Sequence, residues 1–482
     1  MGMMAPVLVS MGGFVLSRDP LGGLAVLVLY AIWRLVRHLP GPPVVLFALT
    51  YQWGQCAIGL FYGPLTGRAL LATTAPEYRF TVLISLLSVL GLAIGFRVGY
   101  NWARRRWPER AHVPELFSTP LLIAAYVVSL FATISLQAIA WYYPLFTQAL
   151  VALSMVRLGV FYLTLRRLVI PDVRFAPAFA LVVFEVGIGF TGFFANFREP
   201  LLLTALVAFE TFDPRRLSNW VGVGAVAAAA VVAGVFWMGV RGEYRQDFAE
   251  VEQFAESRSL RVDRLQELAA DWLAQDSTAL LLTVDFLIDR IWAVYYPALA
   301  VARVPALLPH TNGEIIFGAL RHIATPRALF PDKPPLPSDS EMVRRYSGVM
   351  VAGEEANTSI AFGYVAESYV DFGVPVMFVP MLVWGMFLGV SYQVLRYMVR
   401  HQDLLIPLLA VVFWLSMFVF ERSWVKTLGL TGTLLIYVGG LAYLLDRWLV
   451  QRFVAHGTER QTADDDALTG VDAAMPAPPL PR

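Results

Sequence analysis

One cysteine, two lysines and six histidines are all that this chain of 482 residues contains of those three types. The single Cys56 rules out an intrachain disulfide and a cysteine-based metal cluster. The histidines show neither HxxxH nor HExxH spacing, so no metal site is expected. Charge is also scarce: Asp, Glu, Lys and Arg make up 15% of the chain, against 57% hydrophobic and 13% aromatic residues. With a mean hydropathy of +0.61, that balance excludes a soluble enzyme. A basic leader is missing, and Arg18-Asp19-Pro20 makes a poor cleavage site, so no cleavable signal peptide is expected. Arginine replaces lysine almost everywhere, since 35 of the 37 basic residues are Arg and only Lys333 and Lys426 are not. The net charge of +1 gives no reason to expect a nucleic-acid partner.

What the chain has instead is apolar runs near the length that crosses about 30 Å of hydrocarbon, repeated from end to end. The fold class expected is therefore an all-α, polytopic transmembrane bundle. Its spans are read at 20–36, 43–63, 80–97, 118–140, 145–165, 176–194, 199–212, 219–240, 374–395, 404–420 and 428–445. That is about eleven, or twelve if 3–17 also crosses; 199–212 is short for a full crossing. Basic residues follow every second span: Arg34 and Arg37, then Arg97, Arg104–Arg106 and Arg110, then Arg166, Arg167 and Arg174. The series continues with Arg215 and Arg216, Arg396 and Arg400, and finally Arg447 and Arg452. By the positive-inside rule the N-terminus is outside, the C-terminus cytoplasmic and the segment 241–373 extracytoplasmic.

Four regions follow: a bundle over 1–240, an external loop domain over 241–373, closing helices over 374–450 and a tail over 451–482. The tail carries three consecutive acids at 464–466 and ends in PAPPLPR, a composition that reads as disorder. Within the loop domain, 241–279 has helical periodicity (Phe248, Val251, Phe254, then Leu265, Leu268, Trp272), which predicts amphipathic helices. The apolar stretch 280–304 carries Asp285, Asp289 and Arg290 near its middle. It is read as packed at the outer surface or dipping into it, because one more crossing would invert the later charge pattern. Asp285 and Asp289 are read there as a solvated i,i+4 edge with Arg290 nearby.

Two motifs close the loop domain. ATPRALFPDKPPLP (324–337) is too proline-rich for a helix interior and carries Arg327 and Lys333. The second, Gly363, Tyr364, Glu367, Tyr369, Phe372 and Gly373, leads into the ninth span. With the many spans and one large late external loop, Pro326, Arg327, Pro331, Lys333 and Pro334 followed by that element resemble the O-antigen polymerase-like (Wzy-type) family of repeat-unit polymerases. An Arg-x10-Gly loop motif found in some of its members has no match here.

The resemblance implies a glycosyltransferase with a fold akin to the GT-C class, in the bacterial inner membrane with its active site facing the periplasm. It implies transfer of a growing glycan from an undecaprenyl diphosphate carrier to a lipid-linked repeat. A chain-length regulator and a flippase would be the protein partners. Such chemistry needs cations for the diphosphate leaving group and a carboxylate base. Glu367, Arg198 and Arg327 are the catalytic candidates; Arg241, Lys333, Arg344, Arg345, Tyr369 and Arg422 are the substrate-binding ones. The first external loop offers Glu77 alone where metal-dependent GT-C enzymes commonly pair acids, so no metal and no cofactor is expected. An O-antigen-ligase-like transferase and a lipid-linked glycan transporter are the alternatives.

Overall fold

A computed structural model describes residues 4–108, 118–143, 146–170, 172–190, 197–213, 215–248, 257–326, 329–330, 332–353, 355, 358–400 and 402–448. Regular structure among them is helical throughout, with no strand. The N-terminal half holds α1 (Met4–Ser17), α2 (Pro20–Val36), α3 (Val44–Thr66), α4 (Tyr78–Arg106), α5 (Thr119–Tyr142), α6 (Thr147–Ser154), α7 (Val156–Val169), α8 (Phe175–Phe190), α9 (Arg198–Glu210) and α10 (Leu217–Phe248). Shorter helices follow: α11 (Ser257–Leu273), α12 (Ser277–Ile291), α13 (Tyr295–Arg303), α14 (Glu314–Ala324), α15 (Asp339–Ser347) and α16 (Tyr364–Phe372). The chain closes with α17 (Phe378–Met398), α18 (Gln402–Met417) and α19 (Trp424–Thr433), the last running on through a π turn.

Among the described residues, seven helical stretches are long and apolar enough to cross a membrane: Val44–Thr66, Tyr78–Arg106, Thr119–Ala140, Thr147–Val169, Asn219–Tyr244, Phe378–Met398 and Trp424–Trp448. Pro6–Ser17, Pro20–Val36, Phe175–Phe190 and Leu405–Met417 are apolar but shorter. A polytopic helical bundle is what these lengths make. The expected span at 199–212 is the 13-residue α9, which opens on the charged pair Arg198-Glu199. Segment 3–17 forms α1, folded back antiparallel on α2 where Gly13, Gly22 and Gly23 let the two backbones approach.

The most intimate packing joins α4 to α17. A Cβ on Gly95 would overlap the Leu382 carbonyl oxygen, and one on Gly99 that of Met386. In return, Gly385 and Gly389 sit on the Leu92 and Phe96 carbonyls. Contacts that advance together along both chains make the helices parallel, in the small-xxx-small manner of membrane helix pairs. Arg104–Arg106 and Arg396 therefore share one end of the bundle. Arg396 and Tyr392 also reach the Pro40 carbonyl just before α3, and the Arg400 N–H meets Asp446. This is the basic end, and the long connections gather at the other.

Two expectations about the loop domain change. The eighth span does not stop at 240: α10 is a single helix to Phe248, and α11 folds back on it through Leu268 and Trp272. Val251 and Phe254 lie outside the described residues, as does the tail 451–482. The apolar stretch 280–304 breaks at Trp292 into α12 and α13. Asp285 bonds Tyr62 Oη at 2.6 Å and pairs with Arg68, while Asp289 accepts the Leu71 N–H at 2.8 Å. Neither acid forms the expected solvated edge with Arg290, because α12 runs down the flank of α3. At its end Trp292 lies on Gly59 and donates Nε1–H to the Cys56 carbonyl at 2.8 Å. The following segment enters the main core: Ala298, Val301, Val343, Phe362 and Val370 join side chains of α2–α4, α17 and α18 in one cluster. The regions 1–240, 241–373 and 374–450 therefore share a core.

Candidate functional site

Helix α18 stops early. Gln52 on α3 donates its side-chain amide to the Met417 carbonyl, and Gln55 Oε1 accepts the Phe420 N–H at 2.9 Å. These bonds pin the α18–α19 connection beside the middle of α3. From Gln55 that helix continues eleven residues to Thr66, about 16 Å at 1.5 Å per residue, so the connection is recessed by that depth from the far end. Backbone in such a place is tolerated where it is bonded by protein or lines a cavity.

The recess is ringed by arginine. Arg198, at the start of α9, lies with Cζ 5.1 Å from the centre of the Phe418 ring; Arg422 lies 5.7 Å from the same ring. Arg290, at the end of α12, pairs with Glu421 at 2.5 Å, and Arg198 with its neighbour Glu199 at 3.2 Å. Tyr51 lies edge-on to Trp414 and tilted against Phe418, 6.1 Å between ring centres. Arg422 Nη1 donates to the Leu415 carbonyl at 2.8 Å, at the C-terminal end of α18. Among the described residues no carboxylate bonds to it. Burial pushes the Arg422 guanidinium down to about 10, and the Arg198 charge adds to the effect. Two cations share one aromatic ring with fewer carboxylates than they could use. Arg198 is still 47% exposed at its side chain, so it can be reached from outside the bundle. An anionic group entering the recess would relieve the arginine–arginine repulsion and accept forked hydrogen bonds.

Of the residues predicted from sequence, the structure brings Arg198 and Arg422 together. Arg327 lies outside the described residues. Glu367 is not in the recess: it is 3% exposed, and its Oε2 accepts the Trp424 N–H at 2.6 Å, at the first turn of α19. Burial holds its carboxyl up at about 8; the Trp424 N–H works against the rise, and Asp339 and Asp371 add to it. In this position Glu367 holds the start of α19. Tyr369 is buried edge-on against Phe80 and His310. Lys333 donates Nζ to the His322 and Thr325 carbonyls, both at 2.8 Å, closing the C-terminus of α14. Arg344 bonds the Val351 carbonyl and pairs with Glu355. Arg345 stands over the Tyr346 ring, and Arg241 is half-buried on α10. The polar contacts of Lys333 and Arg344 are thus used in building the loop.

Arg290, Tyr51 and Phe418 line the recess without belonging to either sequence motif. The only signal for Arg290 is a charge inside an apolar stretch, and Tyr51 and Phe418 look like ordinary span aromatics until α18 is seen to end beside them.

Over residues 78–394 the chain matches a family described as a domain of unknown function (DUF8712), and it belongs to that family. The matched segment contains Arg198 and Arg290, whereas Tyr51, Phe418 and Arg422 come from outside it. No curated protein and no solved structure matches the chain.

Proposed function

We propose that this member of the DUF8712 family is a membrane glycosyltransferase of bacterial envelope polysaccharide assembly. In this reading it transfers a growing glycan from undecaprenyl diphosphate onto a lipid-linked repeat unit, at the periplasmic face of the inner membrane and on a GT-C-like scaffold. The observation that carries the reading is the recess in which Arg198 and Arg422 share the Phe418 ring beside the Arg290–Glu421 pair. A diphosphate whose lipid lies in the bilayer needs such a cationic site, set below the far end of the bundle and open to it.

The acceptor sugar hydroxyl forms a bond to the anomeric carbon of the donor glycan while the bond from that carbon to the diphosphate oxygen breaks. The hydroxyl proton passes to a carboxylate, and the leaving diphosphate gains negative charge next to the arginines. Fixed cations positioned for charge that develops in the transition state are the largest lever a protein has on such a step. Glu421, in the same connection as Arg422, is the carboxylate we assign as base in place of the enclosed Glu367.

Arg198→Gln and Arg422→Gln are the decisive variants, scored by polymer length on gels and by the pool of lipid-linked repeats at matched protein levels. Loss of one such donor costs about 10²–10³ in turnover, so polymer should vanish while single lipid-linked repeats accumulate. Normal-length polymer in both variants sinks the assignment. Loss of outward-facing lipid-linked repeats without accumulation would favour a transporter instead.

A further inference from the structure

The end of the proline-rich segment, a strap over 332–337, walls a cavity of about 390 Å³ whose lining includes Pro335, Pro337, Asp339, Ser359, His322 and Lys426. We propose that it is a glycan subsite that takes an uncharged sugar unit of the lipid-linked chain; its partnership with the arginine recess rests on the glycosyltransferase reading.

The volume is within the ~300–1,000 Å³ of small-ligand sites. The charges in its wall cancel: Lys426 Nζ lies 2.7 Å from Asp339 Oδ2 and donates to Ser359 Oγ at 2.7 Å, and the Ser359 hydroxyl donates to the same carboxylate at 3.1 Å. A phosphate gains little from a lysine already paired with an acid. A lipid chain gains little from a wall that presents an ammonium, a carboxylate and a hydroxyl. A sugar ring matches both halves, with hydroxyls for Asp339, Ser359 and Lys426 and C–H faces for the pyrrolidines of Pro335 and Pro337. Asp339 is only 7% exposed, so its carboxylate is fixed rather than swinging in solvent.

The wall is pre-ordered. Lys333 ties the strap to the end of α14. Ser338 caps α15 through the Glu341 N–H, and Ser340 joins the Ala352 carbonyl to the Ile360 N–H. A site already held in shape loses less freedom on binding. Lys426 is four residues past Arg422, so their Cα atoms are at most about 14 Å apart at ~3.6 Å per residue. In this proposal one lipid-linked molecule sets its diphosphate in the recess and a sugar under the strap.

The test is isothermal titration of the purified full-length protein in detergent micelles. The probe is the repeat-unit oligosaccharide released from the producing cells' own lipid carrier by mild acid and freed of phosphate. Binding by the unaltered protein is expected, with affinity falling at least tenfold in Asp339→Asn and in the milder Ser359→Ala. Gly222→Ala on α10, where nothing lies within 4 Å, should leave it within twofold. Absence of binding, or undiminished binding by both pocket variants, overturns the proposal, and so does displacement of the sugar by inorganic pyrophosphate. Failure of the glycosyltransferase reading would show separately, as normal polymer in the Arg198 and Arg422 variants.

Discussion

Glu367 and Asp371 stand one turn apart on α16, and each carboxylate meets the N-terminus of a different helix. Glu367 accepts the Trp424 N–H of α19; Asp371 accepts the Ile315 and Ile316 N–H groups of α14 at 3.0 and 2.9 Å, together with the Thr311 hydroxyl. A carboxyl group at a helix start satisfies orphan donors and, where it is ionised, also meets the positive end of the helix dipole. The Glu-x-Tyr-x-x-Phe-Gly element thus works as a staple, and Gly363, at φ +92°, is required because a Cβ would press on the Phe420 carbonyl. The raised Glu367 carboxyl has a consequence for pH. Its folded-state value near 8 exceeds its ordinary 4.5, so the folded protein holds a proton that the unfolded chain releases. Stability from this group is present below about pH 4.5 and is lost as the pH climbs through 8. Thermal melts in detergent should show unaltered protein losing more than about 1 kcal/mol between pH 5 and pH 9 from this residue, since a tenfold difference in proton affinity is worth ~1.4 kcal/mol. Glu367→Gln, which keeps an acceptor for Trp424, should flatten that slope. An unchanged slope in the variant would refute the attribution.

Among the elements, α4 and α17 form the frame against which the rest is placed. Their glycines at spacing four (Gly95, Gly99 and Gly385, Gly389) leave carbonyl oxygens where side chains would stand. Gly95→Val and Gly385→Val should each destabilise by about 1–3 kcal/mol or more, as overpacking does, and lower the melting temperature. Gly222→Ala on α10, where nothing lies within 4 Å, should leave the melt unchanged or slightly raised. Equal melts for all three variants would mean that the α4–α17 contact is not tight. Helix α18 shows the other use of an element's length. By ending at Met417, beside Gln52, it leaves room for Phe418, Glu421 and Arg422 inside the bundle. That early stop creates the recess.

Across the whole molecule, the ends of the helices sort by charge. Arg104–Arg106 and Arg396 share the basic end, while Thr74, between α3 and α4, lies at the opposite one. Because Cys56 is the only cysteine and is buried, a Cys56→Ala background gives a clean topology map. In intact cells stripped of their outer membrane, Thr74→Cys should react with an impermeant maleimide and Arg105→Cys should not, both sites being exposed. The reverse labelling pattern would invert the topology and remove the periplasmic placing of the recess. Among the described residues the loop domain has no core of its own: its later helices are packed into the helices before and after it, so trimming 241–373 should unfold the protein rather than release a module.

Apolar length, the rhythm of arginines and the glycine spacing in α4 and α17 are all written in the sequence, because they are local patterns that any bilayer reads the same way. They determined the helical class, the approximate segments and the pairing of Arg198 with the neighbouring Glu199. The tertiary structure decided what the charges near the far end are for. Whether an arginine anchors a loop or faces a recess depends on where distant helices stop, and no spacing in the chain records that. Lys333 and Glu367 stand out in the sequence through their motifs, yet their contacts are with helix ends. Arg290 does not stand out, yet α12 descends along α3 and brings it to Glu421, 131 residues away.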